Sequence, residues 1–121
     1  MNVVYRGFLL NKYRNKFEIV ADILRIVKDG AHKTEIMYKG NLSYSMLTRY
    51  LSKLLTAGLV SIASESNSYK ITDKGKLFLE RFNRYIRRCR SLERQLEKIK
   101  REEDLLEKMC KKVCDRDFSQ N

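Results

Sequence analysis

The stretch from Ser43 to Gly75 constrains the fold of this 121-residue chain more than any other, because its predicted elements follow one another with few residues between them. Ser43 is a good helix N-cap, apolar residues recur at helical spacing as far as Ala57, and Gly58 is typical of a helix end. Two short strands are predicted next, over residues 59–63 and 69–71, around the polar loop 64–68, and Thr72 then caps another helix.

The helix predicted after Ser43 has two different faces. Its apolar stripe comprises Leu47, Leu51, Leu54 and Leu55, with Tyr50 at the edge. Its opposite face comprises Ser45, Thr48, Arg49, Ser52 and Thr56, flanked by Tyr44 and Lys53. No carboxylate occurs from Leu42 to Val60, which favours a helix that meets phosphates in a DNA major groove over an ordinary solvated helix.

Two shorter helices are predicted upstream. The first begins after the N-cap Asn15, with Glu18 three residues on, and ends at Asp29-Gly30. The second runs over 33–39, and Gly40-Asn41 turns the chain. The expected buried residues are Ile19, Val20, Ile23, Leu24 and Val27 in the first helix, Ile36 and Met37 in the second, and Leu42 after the turn. Residues 1–14 are apolar without a clean period, and we expect them to form an accessory strand or helix on the domain.

Charge indicates the class of partner. The chain carries 26 Lys and Arg against 15 Asp and Glu, a formal net charge of +11, and the excess is spread over both halves. Such a balance favours a polyanion as partner, although solubility or an anionic membrane surface also accounts for it in some proteins. No apolar run approaches the roughly 20 residues of a membrane span, and no signal-peptide pattern is present, so a cytoplasmic, nucleoid-associated protein is expected.

The sequence offers little for catalysis or metal binding. Cys89, Cys110 and Cys114 form no Cys-x-x-Cys pair and have no histidine nearby, so small seam residues are favoured over half of a metal site shared across a dimer. The single histidine, His32, lies at a helix start, where a capping or solvent role is expected. We therefore predict no enzyme activity, no cofactor, no metal and no small-molecule substrate.

The last predicted helix is unusually long. It begins at the Thr72 cap with Asp73 in its first turn and meets no proline before about Val113. Apolar residues recur in steps of four and three, which is typical of a coiled-coil seam: Phe78, Phe82, Tyr85, Cys89, Leu92, Leu96, Ile99, Leu106, Cys110 and Val113, interrupted only by Glu103. Folding back on its own domain would leave the later part of this seam in water, so a homodimer is predicted.

Charge along the helix favours an antiparallel pair. Residues 80–95 hold six Arg against two Glu, a balance of +4, whereas residues 96–108 hold four cations against five carboxylates, a balance of −1. An antiparallel pair lays each arginine-rich half beside the acidic half of its partner and gives Glu103 a cationic neighbour. The arginines either contact DNA phosphates beside the domain or are solvated and ion-paired.

The segment 16–79 resembles the small archaeal winged-helix DNA-binding proteins, especially the ten-kilodalton Sulfolobus chromatin-associated family. The matching residues are Lys33-Thr34-Glu35-Ile36-Met37, Asn41-Leu42-Ser43-Tyr44, Leu47, Tyr50-Leu51, Leu54, Gly58-Leu59-Val60, Tyr69-Lys70-Ile71-Thr72-Asp73-Lys74-Gly75 and Phe78-Leu79. The resemblance implies a winged helix-turn-helix whose third helix enters the major groove, and a C-terminal helix that pairs two chains in an antiparallel coiled coil. The wing loop differs, since it carries Glu65 and neither Arg nor Lys, which argues against a minor-groove contact.

The predicted fold is therefore mainly α with a small β-hairpin wing, and the predicted function is that of a homodimeric DNA-binding protein, either a transcriptional regulator or an architectural chromatin protein. The expected domains are an accessory segment over 1–14, a winged helix-turn-helix over 15–75, a dimerisation helix over 72–114 and a tail over 115–121. The expected DNA-binding residues are Lys33, Lys39, Ser43, Tyr44, Ser45, Thr48, Arg49, Ser52, Lys53 and Lys70, with Arg49 as the candidate for guanine. The alternative is a protein-interaction module whose coiled coil recruits another protein; RNA binding is disfavoured because no aromatic platform is evident.

Overall fold

The computed structural model describes residues 15–111, which form four helices and one β-hairpin. The elements are α1 (Lys16–Ile26), α2 (Lys33–Gly40), α3 (Tyr44–Ala57), β1 (Val60–Ala63), β2 (Ser68–Ile71) and α4 (Asp73–Met109). The chain divides into two compact units, the first ending at Tyr85 and the second beginning at Ile86. The predicted fold class, mainly helical with a small hairpin and a long last helix, is confirmed.

Helix α1 starts where the sequence predicts and ends earlier. The Asn15 side chain accepts a hydrogen bond from the Glu18 N–H at 2.9 Å and donates one to the Glu18 carboxylate at 3.3 Å, which satisfies a helix N–H that would otherwise be unpaired. The expected end at Asp29-Gly30 is wrong, because the helix stops at Ile26 with Val27 as C-cap. The glycine occupies a later turn, and its positive φ of 95° reverses the chain toward α2.

The hairpin is antiparallel and has an additional partner. Val60 lies opposite Ile71, and Ala63 lies opposite Ser68. The Ala31 N–H donates to the Tyr69 carbonyl at 2.9 Å, and the Tyr69 N–H donates back to the Ala31 carbonyl at 2.8 Å. Sequence reasoning missed this bridge, since a single paired residue between two helices carries no alternating pattern.

One core holds the first unit together. It consists of Ile19, Ile23, Leu24, Val27, Ala31, Ile36, Leu42, Leu47, Leu51, Leu54, Val60 and Ile71. The apolar stripes of α1 and α3 supply half of it, as their spacing predicts. Three expectations differ: Val20 and Met37 are only half-buried, and Leu55 is 37% exposed because its position lies at the margin of the α3 stripe.

The residues Thr72, Lys74 and Gly75 connect the end of α3 to the start of α4. The Thr72 hydroxyl donates to the Gly58 carbonyl at 2.6 Å and accepts the Gly75 N–H at 3.1 Å, so it caps α4 as predicted. The Lys74 ammonium donates to the Ala57 carbonyl at 2.7 Å. A Cβ on Gly75 would lie 2.4 Å from the Leu59 carbonyl oxygen, so only glycine allows α4 to begin this close to the chain that leaves α3.

Candidate nucleic-acid interface

Helix α3 is held at both ends. The Ser43 hydroxyl accepts the Met46 N–H at 3.1 Å at the start of the helix, and Gly58 ends it in the left-handed conformation with φ of 78°. Leu47, Leu51 and Leu54 are buried beneath it. Because both ends and the inner stripe are held in place, the orientation of the outer face relative to the core is determined.

The outer face of α3 is open to solvent. Every residue that the sequence assigned to it is exposed: Ser45, Thr48, Arg49, Ser52, Lys53 and Thr56. The one side-chain hydrogen bond from this set is that of the Thr56 hydroxyl to the Ser52 carbonyl, 3.0 Å away, so the Arg49 and Lys53 cations have no ion pair among residues 15–111. The face presents hydroxyls and cations and no carboxylate, which is a suitable set of groups for base edges and phosphates.

The turn between α2 and α3 is compact. Asn41 adopts the left-handed conformation with φ of 52°, and its N–H donates to the Tyr38 carbonyl at 3.2 Å. The Leu42 N–H donates to the Met37 carbonyl at 3.1 Å, and the Leu42 side chain is buried as predicted. An asparagine tolerates this backbone conformation better than most residues. The turn therefore brings the start of α3 back beside α2.

Lys33 and Tyr44 meet at the starts of their two helices. The Lys33 ammonium lies 5.4 Å from the centre of the Tyr44 ring, within the range of a cation–π contact. Both residues were predicted to contact DNA from separate helices, and the structure brings them together. The Tyr44 ring remains 64% exposed. This pair forms one edge of the candidate interface.

Lys39 has a partner that sequence reasoning did not assign. Its ammonium lies 2.8 Å from the Glu35 carboxylate, one helical turn earlier on α2. The hydrogen bond from Lys39, together with its charge, holds the pKa of Glu35 below the ordinary value of 4.5. The spacing of four residues was the available signal. A phosphate that approaches Lys39 therefore competes with Glu35.

The hairpin presents one predicted cation. Lys70 is exposed on β2, directly opposite Ser61. The loop that joins the strands closes through the Asn67 N–H, which donates to the Ala63 carbonyl at 2.8 Å, and Asn67 adopts φ of 53°. Glu65 is exposed in this loop. The loop therefore brings a negative charge, and Lys70 on the strand is the positive group of the hairpin.

Helix α4 first crosses an aromatic cluster within the first unit. The rings of Phe78 and Phe82 stack with centres 6.2 Å apart, and Phe17 meets Tyr85 edge-on at 6.3 Å. The Arg25 guanidinium lies 5.9 Å from the centre of the Phe82 ring. These aromatic rings line an open hollow of about 180 Å³. Phe82, one of the predicted seam residues, is thus only 8% exposed within its own chain, whereas Tyr85 is 44% exposed.

The later part of α4 exposes its apolar residues within the single chain. Leu92, Ile99 and Leu106 are 48%, 60% and 62% exposed, and Glu103, between them in the predicted seam, is exposed too. The predicted seam residues Cys89, Leu96 and Cys110 are partly exposed, and Val113 lies outside the described residues. Leu105 and Met109 are also exposed apolar residues that sequence reasoning did not single out. Large apolar side chains exposed along a helix in this way are uncommon on a surface that only water contacts.

Two further features of residues 15–111 bear on metal binding and on membrane insertion. No group of three or more His, Cys, Asp or Glu side chains in that range is placed to hold a metal ion. None of the helices described is both long enough and apolar enough to cross a membrane.

The helices and the hairpin have the arrangement of a winged helix-turn-helix. The family model for the winged helix-turn-helix matches residues 13–90, more than half of the chain, and the chain belongs to that family. The chain is similar in structure to Sso10a-2, a DNA-binding protein from Sulfolobus solfataricus, with 30% identity and a TM-score of 0.68. That similarity covers 73% of this chain and 95% of Sso10a-2, and it confirms the resemblance found in the sequence.

Two further proteins are similar over different extents. The uncharacterized protein MJ0287 of Methanocaldococcus jannaschii is 34% identical over 64 residues, which cover 52% of this chain and 64% of that relative's length. The structure of Lactococcus lactis ZitR in complex with DNA has a TM-score of 0.51 with 15% identity, over 95% of this chain and 91% of that one. At this identity the likeness to ZitR shows the shared fold alone.

Proposed function

We propose that this chain is a homodimeric DNA-binding protein, a transcriptional regulator or an architectural chromatin protein, whose α3 enters the DNA major groove. The observation that carries the proposal is the outer face of α3, which is exposed along its length and free of carboxylates. DNA binding by Sso10a-2, which is similar over nearly its whole length, supports the same partner here. The protein would then work at the nucleoid.

The proposal assigns two kinds of contact to the predicted residues. Tyr44, Ser45, Thr48, Arg49 and Ser52 face the base edges, and Lys33, Lys39, Lys53 and Lys70 bind phosphates, with Ser43 at the helix start beside them. Phosphate contacts position the helix, and base contacts give sequence preference. If a dimer neutralises about six phosphates, its affinity falls roughly a thousandfold between 50 and 200 mM salt. A gel-shift titration at several salt concentrations measures this, and a flat response would contradict the proposal.

Variants of Arg49 distinguish recognition of base edges from the contribution of positive charge. Replacing it with Lys keeps one positive charge but loses the two-pronged hydrogen bonding that suits guanine O6 and N7. For a regulator, R49K is expected to keep the salt dependence and to lose about tenfold of the preference for a selected site, or ~1–3 kcal/mol. For an architectural protein, R49K binds selected and random duplexes as the parent does, whereas R49A weakens binding to both equally.

The proposed dimer is an antiparallel coiled coil of the later part of α4. Its support is the exposure of Leu92, Ile99 and Leu106 together with the reversal of charge along the helix. A chain that keeps Cys89 and replaces Cys110 and Cys114 by Ser tests the orientation. In a parallel, in-register pair the two Cys89 thiols face each other and cross-link on oxidation; in the antiparallel pair they lie apart, and no cross-link is expected.

A second function uses the same exposed surface. The apolar residues of α4 would also suit a module that recruits another protein, with the winged helix as scaffold. Sedimentation of the purified chain distinguishes the two: a dimer that binds DNA supports the first proposal. A monomer that binds no duplex at low salt, but forms a defined complex with another chain through α4, would favour the second.

A further inference from the structure

A stripe of positive charge follows α4 within the second unit. We define the arginine stripe as the five cations Arg87, Arg90, Arg94, Lys98 and Arg101, all of which are exposed. An α-helix turns about 100° per residue, so these five positions fall within an arc of roughly 80°. They extend over ~21 Å at 1.5 Å per residue. The stripe is separate from the α3 residues already proposed to bind DNA.

The arginine stripe lies on the opposite side of the helix from the predicted seam. At 100° per residue, its mean direction is roughly 190° from that of Leu92, Leu96 and Ile99. If the seam is covered by a second chain, the stripe still faces solvent. The arginine stripe is therefore available to a further partner when the dimer has formed. The charged residues that flank a coiled-coil seam are not, because they pair with the other helix.

The carboxylates of this stretch of α4 lie beside the stripe rather than within it. Solvated helices place Glu and Lys three or four residues apart on one face, because those pairs stabilise the helix. In the stripe, Arg90, Arg94 and Lys98 follow one another at four-residue spacing, which destabilises an isolated helix. The carboxylates Glu93, Glu97 and Glu102 lie on the flanks, three or four residues from stripe cations. Even so, the ion pairs closer than 4.0 Å within residues 15–111 are those of Arg25 and Lys39 alone. None of the five stripe cations forms an ion pair with another residue of the range 15–111.

We propose that the arginine stripe binds the phosphate backbone of duplex DNA as a second surface, separate from α3. This deepens the proposed function and rests on it. Four of the five residues are arginines, whose planar guanidinium groups bind phosphate oxygens through two parallel hydrogen bonds. A row of cations without base-reading side chains contributes affinity and salt dependence but no sequence preference.

The test compares two full-length double variants with the same change in charge. One is R94Q/K98Q, within the stripe; the other is R88Q/K100Q, on the same stretch of α4 but beside the seam, so that it removes the same charge outside the stripe. Fluorescence anisotropy with a 40-base-pair duplex between 50 and 300 mM salt gives the slope of log affinity against log salt. The stripe variant is expected to lower the slope by about 2 per chain, since each phosphate contact contributes about 0.9, and to keep the ratio of selected to random affinity. The R88Q/K100Q variant is expected to change the slope by less than half a unit.

Two results would overturn the inference. Equal losses of salt slope in the two variants would show a general effect of net charge. An unchanged slope in R94Q/K98Q would show that the stripe does not bind DNA and is either solvated or bound to an acidic protein. Binding of the parent protein to polyglutamate distinguishes these last two cases. Helix content by circular dichroism and mass by sedimentation must match the parent in both variants.

A variant of α3 separates this inference from the proposed function. R49A/K53A is expected to lose sequence preference and part of the slope of log affinity against log salt. The part of that slope that comes from the arginine stripe is expected to remain. If α3 does not bind DNA but the stripe does, R49A/K53A binds as the parent does while R94Q/K98Q does not. If α3 binds DNA and the stripe does not, R94Q/K98Q binds as the parent does while R49A/K53A does not. A parent protein with no salt-dependent binding to duplex DNA would overturn both.

Discussion

Glu35 controls how much of the Lys39 charge is available to a phosphate. The two side chains form an exposed ion pair at 2.8 Å on α2, beside the turn that leads into α3. Such exposed pairs contribute little to stability, so a phosphate can displace the carboxylate at small cost. The same carboxylate repels DNA, so its removal is expected to help binding.

E35Q is therefore expected to strengthen DNA binding about twofold to fivefold, because it frees the Lys39 ammonium and removes a negative charge from the interface. The matched control is D22N, which makes the same charge change in the exposed pair of Asp22 and Arg25, on the helix that contacts α4. Anisotropy titrations at 150 mM salt measure both. An equal gain from D22N would attribute the effect to net charge.

The Glu35 carboxylate also gives a prediction for pH. Its pKa is lowered in the folded protein by Lys39, so the folded state favours the ionised form. The stabilisation is present above the ordinary value of 4.5 and is lost as the pH falls through the folded pKa. In E35Q the part of the acid dependence that comes from this group should be absent, as chemical denaturation between pH 3 and 6 would show. Identical pH profiles would contradict the assignment.

Gly75 is expected to be irreplaceable by alanine. In an open helix this change stabilises by about 1 kcal/mol, because alanine is the better helix former. Here the new Cβ would lie 2.6 Å from Ile71 Cγ1 and nearer still to the Leu59 carbonyl oxygen, so we expect a loss of about 3 kcal/mol. K76A, on the exposed side of the same turn, is the control and should be nearly neutral. A stabilised G75A in urea unfolding would contradict the packing described.

At the scale of the element, α3 owes its position to one stripe. Leu47 is 1% exposed, whereas Leu55, which the sequence places on the same stripe, is more than a third exposed. Shortening Leu47 to Ala leaves a cavity in the core and should cost about 2–5 kcal/mol in the free energy of unfolding. L55A makes the same Leu-to-Ala change at the margin of the stripe and should lower the free energy of unfolding by less than about 1 kcal/mol. Comparable losses in urea unfolding would show that the stripe is as wide as the sequence suggests.

At the scale of the whole molecule, the seam of α4 is expected to decide the oligomeric state. I99D places a carboxylate in the proposed seam, and a buried, unpaired charge should dissociate the dimer. S91D places the same carboxylate outside the seam, roughly 110° around the helix from the mean direction of Leu92, Leu96 and Ile99, and should leave the dimer intact. Sedimentation equilibrium at micromolar concentration measures both, together with a thermal midpoint that rises with concentration only where the dimer forms. A dimeric I99D would contradict the seam.

The sequence was sufficient for the elements and for the exposed face of α3. Caps at Asn15, Ser43 and Thr72, the glycine at position 58 and the apolar spacing of α3 are local signals, because each depends on hydrogen bonds or periodicity within a few residues. They correctly predicted the helices, the hairpin and the exposed face of α3. The resemblance to archaeal winged-helix proteins followed from the same residues and was confirmed.

The tertiary structure decided what depends on residues distant in the chain. The bridge between Ala31 and Tyr69, the close approach that requires Gly75 and the contact between Lys33 and Tyr44 join separate elements, and no local pattern encodes such distances. The pairing of Lys39 with Glu35 has a spacing that the sequence shows, but only the structure shows that it forms. Local hydrogen bonding and periodicity thus determine the elements of this protein, whereas packing between them decides which side chains meet and which charges stay free.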